Sequence, residues 1–360
     1  MSRALQLARR GLYTTDPNPR VGCILVRNNS VLAEGWHQFS GGPHAEVNAL
    51  KHAGDSARDA DCYVTLEPCS HTGKTPPCAD ALIAAGIALV IIATDDPNPK
   101  VSGQGMQRLK EAGIKTEIGL MQVQAQALNP GFEMRMRERR PFVRSKLAMS
   151  LDGKTALANG QSKWITADAA RQDVQRLRAQ SSSIMTGIGT VLADDPALTV
   201  RDIDTGNRQP LRVVLDPDLK MPTTAKMLKE PGRTLLFTLS GNKKKKTALT
   251  GAGAEVFTLD AKDRQAMVQP VMTQLAGHEE VNEVLVEAGA VLNGSLLCAG
   301  LIDELIIYMA PHILGHDARG LFNIPVIEEM NNRFELKFTD VRMIGQDIRI
   351  TLKPVSTKHV

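Results

Sequence analysis

Apolar and polar positions alternate along the first third of the chain in short blocks, and their lengths and flanks separate strands from helices. Gly22–Val26 and Val31–Gly35 are apolar runs on either side of Asn28-Asn29, the arrangement of a β-hairpin. The pattern next predicts a helix over Ala45–Ala53, a strand over Asp61–Leu66 and a helix over Pro77–Ala85. That last helix has proline near its start and Gly86 just past its end, the usual asymmetry of helix termini. Ala88–Thr94 is almost continuously apolar, as a strand covered on both faces should be. A helix near Gln104–Ala112 and a strand near Lys115–Ile118 follow. Gln122–Arg140 reads as one helix. It ends in Arg135, Arg137, Arg139 and Arg140, and a solvated helix end with favourable dipole interactions is the simplest role for that cluster.

A strand over Phe142–Met149 restarts the alternation, which places a boundary near 140–146 and gives domains 1–143 and 144–360. Further expected elements are a helix over Asp168–Gln180 and strands at Ser183–Thr186, Leu211–Leu215, Thr234–Thr238 and Glu255–Leu259. A helix near Arg264–Leu275, a strand over Glu283–Val286, a short helix over Leu296–Leu301 and a strand over Glu304–Tyr308 come next. Two closing strands, Phe334–Val341 and Asp347–Leu352, look antiparallel. Lys243–Lys246 reads as a loop. Strand–helix alternation of this kind makes both halves α/β, the first with a mixed, largely parallel sheet.

Composition narrows the function. The chain has 360 residues, 42% apolar and 23% charged, ordinary for a globular protein. No apolar stretch is long enough to span a bilayer, and the charged start of the chain argues against a signal peptide, so a cytoplasmic location is expected. A net charge of +4 is too mild to point to nucleic acid but suits a phosphorylated small molecule. Aromatics are 4%, too few for a base-stacking platform. The odd count of five cysteines does not suggest a disulfide framework. Three of them, Cys62, Cys69 and Cys78, lie close together and pose the question of a metal.

Two segments carry the strongest chemical signal. One is Pro43-His44-Ala45-Glu46; the other is Glu67-Pro68-Cys69, with eight residues before Cys78. One imidazole and two thiolates are three of the four ligands of tetrahedral zinc, and a fourth position left to water makes the site catalytic. Glu46, two residues past His44, would sit beside that water as a proton shuttle. Both segments precede expected helices, whose N-termini favour thiolate. The pattern is that of the zinc deaminases, H-x-E with P-C-x-x-C, except that the cysteines here are further apart. Two other readings stand beside it: a closed Cys2His2 site with His71 as fourth ligand, and cysteines that are simply small buried apolar residues.

The chain resembles the bifunctional riboflavin-biosynthesis deaminase/reductase family over essentially its whole length. The resemblance rests on Thr15–Cys23, Gly42–Val47, Thr65–Cys78 and Asp95–Val101 in the first half. In the second half it rests on Lys146–Lys154, Ser162–Thr166, Thr190–Arg201 and Val286–Gly289. The long gap between Cys69 and Cys78 is this family's own spacing. For the first domain the resemblance implies a cytidine-deaminase-like fold that hydrolyses the 2-amino group of a diaminopyrimidinone carrying a phosphoribosylamino chain. Zinc would sit on His44, Cys69 and Cys78, with Glu46 moving protons. Asn18, His37, Lys74, Asp96 and Asn98 would hold the substrate, although Asn18 and Asn98 each lie in Asp-Pro-Asn-Pro, where an asparagine also suits a backbone cap.

For the second domain the resemblance implies a dihydrofolate-reductase-like fold that reduces the ribosyl chain to ribityl with NADPH. Unaided, the residues say less. Neither Gly187-Ile188-Gly189 nor Gly251-Ala252-Gly253 has the third glycine of a dinucleotide fingerprint. Glu287-Ala288-Gly289, a short loop and a helix opening at Gly294-Ser295 could cradle a diphosphate on backbone amides. By the resemblance, Ala148, Trp164, Thr190, Asp194 and the run Gly289, Ala290, Val291, Leu292, Asn293, Gly294 and Ser295 contact NADPH. Lys146, Ser162, Arg178, Leu198, Arg201 and Glu287 face the substrate. Asp194, Glu287 and Lys146 are the candidate proton donors. Arg178 equally suits a surface ion pair, and Trp164 a core gap. Ala290 stands where relatives often carry proline, which loosens the loop and keeps its amides. Homo-oligomers, dimer or tetramer, are the family's expected assembly. Two further readings are a deaminase with a silent second domain and a zinc-stabilised binding protein. Glu46 discriminates against the binding protein, and the set Lys146, Ser162, Asp194, Arg201 and Glu287 against the silent domain.

Overall fold

The structure, a computed structural model, describes residues 1–70, 77–99 and 101–355. It divides into two compact units, Met1–Arg140 and Pro141–Val360.

In the first unit, helix α1 (Ser2–Ala8) precedes the hairpin β1 (Gly22–Arg27) and β2 (Ser30–Trp36). Then come α2 (Ala45–Ala53), β3 (Asp61–Val64), α3 (Cys78–Ala84), β4 (Leu89–Ile92), α4 (Gln104–Glu111) and β5 (Lys115–Ile118). The five-stranded sheet has the order β2-β1-β3-β4-β5. Pairing is antiparallel from β2 to β3 and parallel from β3 to β5, the mixed sheet the alternation predicts. Cys23, Leu25, Cys62, Val64, Leu82, Val90 and Ile92 pack in its core. The expected helix over 122–140 is two helices, α5 (Gln122–Gln126) and α6 (Pro130–Glu138). Pro130 cannot continue a helix from the preceding turn and restricts Asn129 before it, so it starts a new helix at its first position. Helix α1 lacks a recognisable cap and was not anticipated.

The second unit holds β6 (Phe142–Ser150), β7 (Lys154–Ala156), α7 (Asp168–Gln180), β8 (Ser183–Gly187) and α8 (Ile188–Asp194). It continues with β9 (Leu211–Leu215), β10 (Thr234–Thr238), α9 (Lys243–Gly251), β11 (Ala254–Thr258), α10 (Val268–Gly277) and β12 (Glu283–Val286). Helix α11 (Ala290–Cys298), β13 (Glu304–Ala310), the two-residue β14 (Arg319–Gly320), β15 (Leu336–Ile344) and β16 (Asp347–Pro354) complete it. Nine strands form one sheet in the order β11-β10-β9-β8-β12-β6-β13-β16-β15. The strands from β11 to β13 are parallel; the last two are antiparallel, as their sequence suggests. Val143, Leu147, Val284 and Val286 lie in the main core of this unit.

Three expectations are corrected here. Lys243–Lys246 is not a loop but the first turn of α9, because the Asn242 side chain caps the helix, its Oδ1 accepting from the Lys245 amide at 3.0 Å. Helix α11 opens at Ala290 behind Gly289 rather than at Gly294-Ser295. Gly294 lies inside that helix because of packing: a Cβ there would sit 2.0 Å from the Asn323 carbonyl oxygen. Helix α10 likewise starts at Val268, since Asp263 Oδ1 holds the amides of Gln265 and Ala266 in a turn before it.

Candidate active sites

In the first unit, His44 is the residue before α2, Glu46 lies in the first turn of α2, and Cys78 opens α3. Cys69 ends the segment leading away from β3. His44 Nδ1 lies 3.1 Å from Cys78 Sγ and 3.6 Å from Cys69 Sγ, and the three donor atoms fall within 4.8 Å of one another. Bonds of about 2.3 Å to sulfur and about 2.0 Å to nitrogen would place tetrahedral ligands roughly 3.5 Å apart, so the trio fits zinc. The Cys78 amide donates to Cys69 Sγ at 3.3 Å, a bond that favours thiolate. Hydrogen bonds from Cys78 and His44 together outweigh burial and lower the Cys69 thiol to about 4. Glu46 is 3% exposed, and burial pushes its carboxyl up to about 7.

His37 packs edge-on against His44, with ring centroids 5.4 Å apart. Its Nδ1 lies 3.0 Å from the Pro43 carbonyl, which can only accept, so Nδ1 carries the proton. Nε2 therefore accepts from the Asn18 amide at 3.2 Å, and burial lowers the pKa of this neutral ring. Asn18 is thus bound to His37 and is more than a local turn cap. The buried Asp96 accepts from the Asn98 amide at 2.8 Å, and burial pushes its carboxyl up to about 7. Lys74 and His71 lie outside the described residues.

In the second unit the parallel strands bring Lys146, Arg178 and Glu287 together. Glu287 follows β12, Lys146 lies within β6, the strand beside it, and Arg178 reaches in from α7. Arg178 holds both carboxylate oxygens of Glu287, at 2.6 and 2.9 Å, and donates to the Thr199 carbonyl at 3.0 Å. Lys146 Nζ lies 3.6 Å from the same carboxylate. Burial alone would raise Glu287, but the charges of Arg178 and Lys146 outweigh it and hold Glu287 at about 2. Arg178 is therefore in an ion pair, as the plainer reading had it, but the pair is buried, with side chains 14% and 11% exposed.

The NADPH candidates separate into two groups. Gly289 and Val291 are exposed and Ala290 half-buried at the start of α11, where the first amides of a helix are free. Leu292, Asn293 and Gly294 are buried beneath them. Leu292 belongs to the core, and Asn293 Nδ2 donates to the carbonyls of Ala288 and Gly289 while its Oδ1 accepts from Ser145. Ser295 bonds back to the Val291 carbonyl. Leu198 is buried and adopts a positive φ, which leaves its backbone as the part able to face a ligand. Ala148, Ser162 and Thr190 are half-buried, and the exposed Arg201 has its amide held by Gln175. Trp164 does not fill a core gap. It is 71% exposed, with the Arg171 guanidinium 4.5 Å above its ring. Asp194 pairs with Lys163 at 3.1 Å. Sequence reasoning passed over Glu67, Lys163 and Arg171, although the motifs it quoted contain the first two.

A His-Cys-Cys cluster beside a buried glutamate on a mixed α/β sheet defines a zinc-deaminase type of site, and a parallel-sheet unit with a buried Lys-Glu-Arg set follows it in the chain. Residues 1–94 match the family described as the cytidine and deoxycytidylate deaminase zinc-binding region, and residues 141–350 match the RibD C-terminal domain. The chain is 46% identical to riboflavin biosynthesis protein RibD of Escherichia coli K12, with 98% of each chain covered. It is 44% identical to the RibD of Bacillus amyloliquefaciens over 99% of this chain and 96% of that one. Among solved structures it is similar to Acinetobacter baumannii RibD, with a TM-score of 0.92, 45% identity and coverage of 99% and 98%. The Thermotoga maritima diaminohydroxyphosphoribosylaminopyrimidine deaminase/5-amino-6-(5-phosphoribosylamino)uracil reductase gives a TM-score of 0.87 at 33% identity, covering 99% and 97%. The chain belongs to the RibD family. It is a bifunctional deaminase and reductase of riboflavin biosynthesis acting on a small molecule, with a cytidine-deaminase-like first fold and a zinc-binding deaminase region. Among the described residues no helix is long and apolar enough to cross a membrane.

Proposed function

We propose that the first domain, within 1–143, converts 2,5-diamino-6-(5-phosphoribosylamino)pyrimidin-4(3H)-one to 5-amino-6-(5-phosphoribosylamino)uracil, and that the second, within 144–360, reduces the ribosyl chain to ribityl. The convergence of His44, Cys69 and Cys78 beside buried Glu46 carries the first half of this reading. Zinc bound there supplies a water acidic enough to ionise near neutral pH. Glu46 would carry one proton of that water to the ring nitrogen and the second, from the hydroxyl left on the ring carbon, to the departing amine. Asn18, His37, Lys74, Asp96 and Asn98 hold the ring and its phosphorylated chain, and the neutral His37 orients the Asn18 amide.

In the reductase half, hydride goes to the sugar carbon C1′ and a proton to the ring oxygen it releases. Glu287, held at about 2, stays ionised at working pH and serves to orient Lys146 and Arg178. Asp194 is an exposed carboxylate paired with Lys163. That leaves the Lys146 ammonium as the donor, with Ser162, Leu198 and Arg201 on the substrate. NADPH lies along Ala148, Trp164, Thr190, Asp194 and the amides at Gly289–Val291, with Leu292–Ser295 supporting that turn from within the helix. The enzyme works as a cytoplasmic homo-oligomer that needs neither nucleic acid nor membrane.

The test is a coupled assay on the full chain. The diaminopyrimidinone phosphate alone should release ammonia, and the deaminated product should consume NADPH. Ammonia release without NADPH consumption would restrict the reading to the first domain.

A further inference from the structure

Glu67 is the first residue of Glu-Pro-Cys, two positions before the metal ligand Cys69. It is 3% exposed, and among the described residues no lysine or arginine pairs with it. Four backbone amides surround its carboxylate instead. Oε2 accepts from Asp96 at 3.3 Å and Gly103 at 3.0 Å; Oε1 accepts from Gly105 at 3.0 Å and Met106 at 3.2 Å. These donors belong to the turn that carries Asp96 and Asn98 and to the start of α4. Both segments are remote in sequence from Glu67.

Two further contacts make the join close. A Cβ at Gly105 would lie 1.9 Å from the Pro68 carbonyl oxygen, so α4 packs directly on the segment leading to Cys69. Arg108 of α4 donates to the Ser70 carbonyl at 2.9 Å and pairs with Asp80, two residues past Cys78, at 2.6 Å. A buried carboxylate is a costly way to fill space, and apolar packing would stabilise the fold as well. Its four directional bonds do what apolar packing cannot, which is to fix one backbone segment against another.

We infer that Glu67 is a positioning residue of the deaminase: its carboxylate locks the Asp96–Asn98 turn to the Cys69 segment, so that the groups recognising the pyrimidine and the metal ligands move as one piece. This role rests on the proposed assignment of Asp96 and Asn98 to the substrate.

The test is Glu67→Gln in the zinc-loaded full chain. Glutamine presents one oxygen and one NH2 group, so two of the four amides would face a donor. Deaminase kcat/KM should fall on the order of 10–100-fold, the scale of a misplaced binding group, and the loss should lie mainly in KM. Calorimetric affinity for the deaminated product should weaken alongside it. Zinc per chain and NADPH consumption should stay at wild-type values. Gly105→Ala keeps the glutamate but forces α4 away from the Pro68 carbonyl and Glu67 Oε1, which its Cβ would meet at 1.9 and 3.3 Å; it should give the same KM phenotype, and it carries the test if Glu67→Gln fails to accumulate. An unchanged KM in both variants would overturn the inference, as would loss of zinc in proportion to activity, which would mark a merely structural role. A wild-type chain that releases no ammonia would instead overturn the reading of the site itself.

Discussion

The two candidate sites are built in opposite ways. The metal centre collects its donors from two short motifs, each at the start of a helix, and every donor type is dictated by the ion. The second unit collects Lys146, Arg178 and Glu287 from separate elements, and no ligand chemistry forces those types. Electrostatics diverge as well. In the first unit burial dominates and pushes Glu46 and Asp96 up to about 7, where a carboxyl can exchange protons. In the second, two cations overcome burial and hold Glu287 at about 2, where it cannot. A buried acid becomes a proton carrier or a fixed charge according to whether a cation accompanies it.

Four measurements break or sharpen that contrast. The largest effect belongs to Glu46→Gln, which should cut deamination by about 10²–10⁴-fold while zinc content and NADPH consumption persist. Loss of zinc with it would remove Glu46 from the proton path. Next, Glu287→Ala leaves Arg178 and Lys146 uncompensated. Reduction should fail, and urea unfolding should show the second unit destabilised by about 3–5 kcal/mol, with deamination spared. Little change in either would remove the triad from both the reduction and the stability of the unit.

The third concerns pH. Burial raises Asp96 from 3.8 to about 7, so the folded state holds its proton more tightly than the unfolded chain does. That contribution to stability is complete below 3.8 and is lost as pH rises toward about 7. Asp96→Asn should flatten this part of the melting-temperature profile, and an unchanged slope would assign it to another group. The smallest effect is Asn242→Ala, which removes the cap of α9 at a cost of about 1 kcal/mol and leaves both activities intact. A loss of reduction there would tie α9 to the cofactor.

Legibility in the sequence follows the same division. The parallel strands and amphipathic helices were readable because apolar period and length set them, and the zinc motif because ligand types are few. What escaped has two sources: local breaker and cap signals that periodicity overrides, and contacts distant in sequence. Pro130 splits a helix that periodicity joins. Gly294 looks like a helix opener but sits inside α11 because Asn323 presses on it. Lys243–Lys246 looks like a solvated loop until Asn242 caps it. Glu67 is visible in its motif, yet its partners, Asp96 and Gly103–Met106, declare themselves only once the chain folds. Arg178 binding Glu287 with two of its three guanidinium nitrogens is likewise a property of the fold.

The central claim is that one chain carries two chemically independent sites, and zinc removal tests it most directly. A single preparation is stripped with a chelator, then assayed for ammonia release from the diaminopyrimidinone phosphate and for NADPH consumption with the deaminated product. Deamination should vanish and return on adding zinc, while NADPH consumption stays unchanged throughout. Loss of both activities together, or deamination that survives without the metal, would contradict the account.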